Sequence, residues 1–426
     1  MFDKSLLSMI EVILYLPYNT SMTVSQSRPL FILFLAWMLL LFSCAPATTL
    51  PTEVHAPVVT VSTSTVEVQT PIVTSTPIIT LTTAPGFMFA DGSRPLTFPA
   101  DFGAHPDFRT EWWYYTGNLQ TAEGRHFGFE LTIFRVGLIP PTVELSNDSN
   151  WSSRDFYFAH FAISDIDSDQ FYAFQRYSRA GPGLAGAQAE PYRIWLEDWN
   201  INEHAPGVYQ LRAEQEKIAL DLTLTDEMGV ILHGESGYSR KGKESTNASY
   251  YYSQPRLRTE GSVQINGSSY AVTGLAWKDH EFSSSVLDEN QIGWDWFSLQ
   301  LEDGSALMLF QLRERGGGIS ESASGTFMAA DGTTQSLHKS DFEMTVLDQW
   351  QSPHTQGVYP SSWQIRIRQP DCLLTAQPWM ADQEINFPPI TYWEGAVHFE
   401  GTCNGTPARG NGYIELTGYA GNLPLP

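Results

Sequence analysis

The sequence predicts a mainly β protein of antiparallel strands, on three observations. Apolar and polar residues alternate with the strand period of two in several runs: 127–134, 155–163, 218–224 and 307–312. Acid–Gly or Asn–Gly pairs, which suit tight hairpin turns, lie between such runs: 123–124, 266–267, 303–304 and 331–332. Aromatic residues make up 13% of the chain and charged residues only 17%, which favours strands over long solvent-exposed helices. We therefore expect antiparallel meanders in barrel or sandwich domains.

Length and charge limit the classes of function. A chain of 426 residues exceeds one ordinary domain, so two domains are expected. The formal net charge is −23 at pH 7, and an acidic surface repels phosphate backbones. We therefore expect no nucleic-acid partner.

The first 86 residues predict export and a tether. An unbroken apolar run at 30–42 has the length of a signal-peptide core and is too short to span a membrane. Residues 41–44 resemble a bacterial lipobox, so 1–43 is predicted as a signal peptide, with Met22 as an alternative start, and Cys44 as the lipidated residue. Residues 44–86, rich in Thr, Pro, Val and Ser, are expected to form a flexible tether. The predicted product is an exported cell-envelope lipoprotein, or a secreted protein, that reaches the membrane through its lipid.

Two further cysteines, Cys372 and Cys403, lie near the C-terminus. In an exported chain they could form a disulfide that staples the final strands; two free buried thiols are the alternative. The sequence has no Cys-x-x-Cys pair, which argues against a cysteine-based zinc site.

An internal sequence repeat predicts two similar domains, 87–260 and 261–426. The segments 112–135 and 294–313 both open with tryptophan, turn at an acid–Gly pair and end in arginine. We interpret them as copies of one β domain, with convergent hairpin chemistry as the alternative.

The stretch 274–300 contains the highest density of residues that could take part in catalysis. It places three tryptophans beside carboxylates and an imidazole: Trp277, Trp294, Trp296, Asp279, Glu281, Asp295 and His280. Acids, an imidazole and aromatic faces together suit acid–base chemistry on an apolar substrate, although buried tryptophans are often only packing. Strand alternation puts Trp277 and Asp279 on one face and His280 on the other. It also sets Asp295 opposite Trp294 and Trp296, so one of the two aspartates is expected to be structural.

Several motifs resemble the lipocalin-like family of AttH and carotenoid 1,2-hydratase (hydroxyneurosporene synthase), many of whose members are described as predicted secreted hydrolases. The motifs, in order, are HPDFRTEWWYYTGNL, FAHFAISD, GLAGAQAEPYRIWLEDW, YYYSQPRL, GLAWKDHEFSSS and GWDWFSLQLEDG. The resemblance runs from about residue 98 to residue 417. It implies two consecutive lipocalin-like β-barrel domains and, for the pigment-synthesis branch, addition of water to a carotenoid double bond without a cofactor.

Hydration of an isolated alkene needs a proton donor, a stabilised cation and a water. A carboxylic acid in an apolar pocket keeps its proton at neutral pH, because burial disfavours the charged form. We expect the donor to be Asp279, Glu281 or Asp295, with His280 orienting water. The three tryptophans would face the cation.

The first domain offers a second set of candidate ligand-binding residues: Glu111, Trp113, Tyr115 and His160. Glu111 suits a buried acid, and equally a salt bridge to Arg109 or Arg135. His160 lies in an apolar strand, where a histidine is more often a core residue than a ligand.

Other chemistries have little support. The chain has no GxSxG elbow, no HExxH motif and no phosphate-binding glycine loop between a strand and a helix, so we expect neither metal nor cofactor. Two hypotheses remain. The first is a cofactor-free lyase or hydrolase acting on a hydrophobic substrate such as an isoprenoid. The second is a non-catalytic carrier of a carotenoid or lipid, with the ligand in or between the barrels.

Overall fold

Antiparallel strands account for nearly all regular structure in residues 86–145, 153–284 and 287–421, which the computed structural model describes. The predicted signal peptide, Cys44 and nearly all of the tether lie outside these residues. The first sheet contains β1 (Thr110–Gln120), β2 (His126–Gly137), β3 (Asp155–Asp165), β4 (Gln170–Arg179), β5 (Ala185–Ala189), β6 (Tyr192–Leu196), β7 (Trp199–Ala205), β8 (Val208–Gln215), β9 (Ile218–Asp226), β10 (Ile231–Leu232), β11 (Tyr238–Arg240), β12 (Ala248–Ile265) and β13 (Ser268–Ser283). The second contains β14 (Gln291–Leu301), β15 (Ala306–Glu314), β16 (Ser324–Met328), β17 (Thr334–His338), β18 (Phe342–Gln351), β19 (Val358–Ile367), β20 (Cys372–Pro378), β21 (Glu384–Phe387), β22 (Ile390–Cys403) and β23 (Thr406–Thr417).

The predicted strands and hairpins are confirmed. The four alternating runs lie in β2, β3, β9 and β15. The four predicted turn pairs connect β1 to β2, β12 to β13, β14 to β15 and β16 to β17. Asn266 and Gly267 have φ of 51° and 87°, so this two-residue turn needs the positive φ that Asn–Gly accepts.

The two sheets form one nearly closed barrel and one half-barrel, which confirms the predicted fold class. Buried side chains such as Trp113, Phe129 and Leu222 fill the first barrel. The boundary predicted near Glu260 falls inside β12, because β13 is needed to complete the first sheet. The chain passes to the second sheet only between Ser283 and Gln291.

Strand alternation gives β1 and β13 an inner and an outer face. Trp113 and Tyr115 lie opposite His280 and Lys278 on the inner face. Tyr114 lies opposite Asp279 on the outer face. The outer face packs against the second sheet in a separate cluster that includes Trp277, Trp296, Met308 and Phe310. Residues one position apart on β13 therefore belong to different environments.

An acid–arginine ion pair is found at each of the two hairpins that contain the repeated segments, 112–135 and 294–313. Arg135 Nε donates to Glu111 Oε2 at 2.8 Å in the first barrel, and Arg313 Nε donates to Asp295 Oδ1 at 3.0 Å in the second. The two acids do not occupy equivalent positions, because Glu111 precedes the first tryptophan of its hairpin and Asp295 follows the first tryptophan of its own.

One remaining prediction concerns the C-terminus. Cys372 and Cys403 lie directly opposite each other on β20 and β22 and form a disulfide bond. Within the described residues, the chain has no helix of the length and apolar character that crossing a membrane requires.

Candidate functional site

The main pocket lies between the outer faces of the two sheets and has a volume of about 210 Å³. The first barrel supplies residues of β1, β2, β3, β12 and β13, and the second supplies residues of β14, β15, β22 and β23. Pockets for drug-sized ligands span about 300–1,000 Å³. This pocket therefore has room only for a group smaller than a drug-sized ligand.

Two rows of side chains face each other across the pocket. On the first sheet, cross-strand pairing aligns Thr132, Tyr114, Asp279 and Ser253. On the second, it aligns Glu394, Glu415, Trp296 and Phe310. Carboxyl groups therefore lie on both sides of one apolar space.

Asp279 is buried, with 4% of its surface exposed, and accepts three hydrogen bonds. Tyr251 donates to Oδ2 at 2.5 Å, Trp277 Nε1 donates to Oδ1 at 2.6 Å, and the Ser253 hydroxyl also donates to Oδ1. Burial raises the pKa of Asp279 to about 7, although the three donors favour its ionised form. At neutral pH this carboxyl can give up a proton or take one back.

Aromatic rings form a large part of the pocket wall. Trp296 is buried, and its Nε1 donates to the Tyr251 hydroxyl at 2.9 Å, so it fixes the phenol that binds Asp279. Five half-buried apolar residues are also part of the lining: Trp112, Phe134, Leu287, Trp294 and Ile390. Apart from the Lys241–Glu281 ion pair, these half-buried residues give an apolar ligand a mainly apolar path into the pocket.

Of the other predicted residues, Glu281 and His160 also line the pocket. Glu281 Oε1 lies 3.2 Å from Lys241 Nζ, so its partner is an ammonium group. His160 Nδ1 lies 2.7 Å from the Tyr392 hydroxyl, and burial lowers the pKa of this histidine to about 3. His160 is therefore a neutral hydrogen-bonded side chain at neutral pH.

Sequence analysis missed two acids on the second sheet, Glu394 and Glu415. Burial raises the pKa of Glu394 well above its ordinary value, and the Tyr114 hydroxyl donates to its Oε1 at 2.6 Å. Burial also raises the pKa of Glu415 to about 7, and Trp294 Nε1 donates to its Oε2 at 3.0 Å. The sequence feature that could have indicated these two acids is a glutamate within an otherwise apolar strand.

Several predicted site residues do not face the pocket, because strand alternation turns them into the barrels. His280 and Glu111 are bound to each other inside the first barrel, with His280 Nε2 2.8 Å from Glu111 Oε1. Trp113 and Tyr115 belong to the first barrel core. Asp295 lies on the inner face of the second sheet, against Arg313 and Tyr419. The prediction that His280 orients water for an acid on the same stretch therefore has no geometric support.

Glu111 is the centre of a buried ion cluster. Its Oε1 accepts from His105 Nδ1 at 2.6 Å and from His280, while Oε2 accepts from Arg135 Nε at 2.8 Å. Ligand-type atoms of His105, Glu111 and His280 lie within 4.8 Å of one another, the spacing a metal site needs. The Arg135 guanidinium already compensates the carboxylate, however, and would oppose a cation. The cluster therefore has a structural role, in which it fixes the loop before β1 in place.

Sequence analysis also missed Lys278, which forms no ion pair with a carboxylate among the described residues. Its ammonium group is buried inside the first barrel, where Nζ donates to Gln254 Oε1 at 2.9 Å. The Nζ atom lies 4.6 Å from the ring centre of Phe102 and 4.7 Å from that of Tyr192. Burial lowers the pKa of Lys278 to about 7. The lysine lies on the opposite face of β13 from Asp279, so it cannot reach the pocket.

Comparisons with known proteins give a family and a fold. A model of the AttH-like family matches residues 90–419. The crystal structure of an AttH protein from Nitrosomonas europaea is 38% identical, with a TM-score of 0.70, and the match covers 78% of this chain and 100% of that one. Kievitone hydratase from Nectria haematococca is 14% identical, with a TM-score of 0.59, and the match covers 79% of this chain and 96% of that one. At this low identity the likeness concerns the fold alone. No curated protein sequence matches the chain.

Proposed function

The chain belongs to the AttH-like family, and on that premise we propose that it is a hydratase that adds water to a hydrophobic alkene by acid catalysis, without a cofactor. The observation that carries this proposal is Asp279, a buried carboxyl group bound to Tyr251 at the wall of an aromatic-lined pocket. The name of the kievitone hydratase, which shares the fold, is consistent with it.

Asp279 supplies the proton in the proposed reaction. Its O–H bond breaks as a C–H bond forms at the less substituted alkene carbon, which leaves a tertiary cation. The electron-rich faces of Trp296 and Trp294 lower the energy of that cation, by about 1–2 kcal/mol per well-placed ring in a dry site. Water then forms the C–O bond, and the proton lost from its oxygen passes to a carboxylate of the pocket.

The proposed substrate is an isoprenoid chain whose end carries a (CH3)2C=CH– group. The pocket volume accommodates one such end, and the rest of the chain would pass over the apolar rim. The carotenoid end group of the family resemblance has this chemistry. It has no charge, which suits the aromatic and aliphatic part of the lining.

Labelled water tests the proposal directly. The purified protein is incubated in H2(18)O with an acyclic carotenoid that carries this end group, and with a matched carotenoid whose terminal double bond is saturated. We expect a product heavier by one labelled water from the first and none from the second. If the carotenoid is retained but stays unmodified, the protein is a carrier, which the aromatic part of the pocket lining also favours. If it is neither retained nor converted, the hydrophobic-ligand proposal is wrong.

We also propose that the protein is exported and lipid-anchored through Cys44, which would hold the pocket near membrane-dissolved substrates. Metabolic labelling with a radioactive fatty acid tests this. Wild-type protein should incorporate the label and Cys44→Ala should not. Equal labelling of both would show that Cys44 is not the anchor.

A further inference from the structure

A second polar region, here called the rear recess, adjoins the pocket. It consists of Thr116, Glu130 and Thr132 on the first sheet with Glu394 and Tyr413 on the second. Each of these residues is at most 1% exposed. Thr116 lies directly opposite Glu130 on the neighbouring strand, and Thr132 follows two residues later on the same face. Thr132 and Glu394 also line the pocket, so the recess is continuous with it.

The rear recess concentrates buried oxygens that lack hydrogen-bond partners among the described residues. Six such atoms lie here: Thr116 Oγ1, Glu130 Oε1 and Oε2, Thr132 Oγ1, Glu394 Oε2 and Tyr413 Oη. The Thr132 hydroxyl is still near enough to Glu130 to act on the pKa of that acid, and the Ser164 hydroxyl is near enough to act on that of Tyr413. A buried polar group without a partner destabilises the folded state. A buried water typically makes about three hydrogen bonds to groups of this kind. The recess therefore has the partners that a small polar ligand needs.

The charge state of the recess selects the kind of ligand. Burial raises the pKa of Glu130 to about 8, and the pKa of Glu394 is raised well above its ordinary value. Burial thus favours the protonated form of both acids, so the recess offers O–H donors together with oxygen acceptors. A metal cation would meet no net negative charge. A small neutral molecule that both donates and accepts, as water does, fits these groups.

We propose that the rear recess is a buried water site which, if the proposed hydratase function holds, delivers the nucleophilic water to the pocket beside Glu394. The Tyr114 hydroxyl holds Glu394 Oε1, so Oε2 is left to bind water. When the water oxygen bonds to the cation, one of its protons passes to Glu415, the cross-strand neighbour of Glu394. Asp279 is then a carboxylate and Glu415 a carboxylic acid, and proton exchange with solvent restores both.

Magnetic relaxation dispersion of oxygen-17 water counts long-lived internal waters, whatever the enzyme activity. Thr116→Val and Thr132→Val keep the side-chain shape and remove the hydroxyl. Thr259→Val is the matched control, because Thr259 is equally buried but already bonded to the Leu257 carbonyl. We expect the long-lived water signal to fall in the first two variants and to stay in the control. An equal signal in all variants overturns the water site.

Activity separates this inference from the proposed function. Hydration by Thr132→Val should fall by about tenfold or more, because a displaced nucleophile loses its alignment, with carotenoid retention unchanged. Thr132→Ser should restore both the water signal and turnover, which separates loss of the hydroxyl from misfolding. If the water signal falls in the valine variants but wild-type protein hydrates no alkene, the water site stands and the hydratase proposal fails. If hydration proceeds normally in Thr132→Val, the delivery role is wrong.

Discussion

The Tyr114 hydroxyl on β1 donates a 2.6 Å hydrogen bond to Glu394 Oε1 on β22, joining the two sheets at the pocket wall. The two residues lie 280 positions apart in the chain. Tyr114 is also the cross-strand neighbour of Asp279. The Tyr114 phenol thus binds an acid of the second sheet, while its residue lies beside the proposed proton donor of the first.

Removing this phenol should destabilise the protein. In Tyr114→Phe, neither oxygen of the buried Glu394 carboxyl keeps a partner among the described residues, and we expect a loss of about 1–3 kcal/mol. Urea unfolding measures it, with Tyr177→Phe as control because Tyr177 is 44% exposed. Equal midpoints for the two variants would show that the bond contributes nothing.

The substitution Asp279→Asn should abolish alkene hydration and leave carotenoid binding intact. The amide cannot protonate an alkene, so turnover should fall about 10²–10⁴-fold, the usual contribution of a general acid. Carotenoid retention, measured by co-elution, should persist because the aromatic wall is unchanged. Asp331→Asn, at an exposed turn, is the control. Undiminished turnover in Asp279→Asn would remove Asp279 from the proposed mechanism.

The pH profile should follow the ionisation of Asp279. Only the protonated acid is active, so kcat/KM should decline as pH rises through about 7. The hydrogen bond from Tyr251 lowers this pKa, so Tyr251→Phe should move the decline to higher pH. A decline that stays at the same pH in this variant would argue that another group titrates.

Glu130 should make the protein less stable in alkali. Its folded pKa of about 8 lies above its ordinary value, so the stabilisation is complete below pH 4.5 and is lost as pH rises through 8. Glu130→Gln should remove this dependence and raise Tm at pH 9 relative to wild type. Glu343→Gln, exposed on β18, is the control. Parallel Tm curves for wild type and Glu130→Gln would contradict the prediction.

The ion cluster around Glu111 should govern stability. In Glu111→Gln, Arg135 loses its buried carboxylate, and breaking such a pair costs about 3–5 kcal/mol. The His105 pKa is raised against burial by Glu111 and Asp101, so its contribution is present below pH 6.5 and is lost as pH rises through the folded pKa. Thermal unfolding at pH 6 and pH 8 should show the larger loss at pH 6. A loss that does not depend on pH would exclude the protonated His105.

The sequence alone predicted the strands, the hairpin turns and the fold class. These features follow from local alternation and from turn residues such as Asn266 and Gly267, whose backbone preference is intrinsic. Alternation also predicted that Asp279 and His280 face opposite ways, and the structure places them on opposite faces of β13.

Only the tertiary structure decided which face holds the pocket. Asp279 and His280 are equally plausible acid–base residues in the sequence, and their roles differ because the outer face of β13 meets the second sheet while the inner face closes the barrel. Glu394 and Glu415 join the site through packing between sheets, which no local pattern encodes. Their shifted pKa values have the same origin, since burial depends on what the rest of the chain places around each carboxyl group.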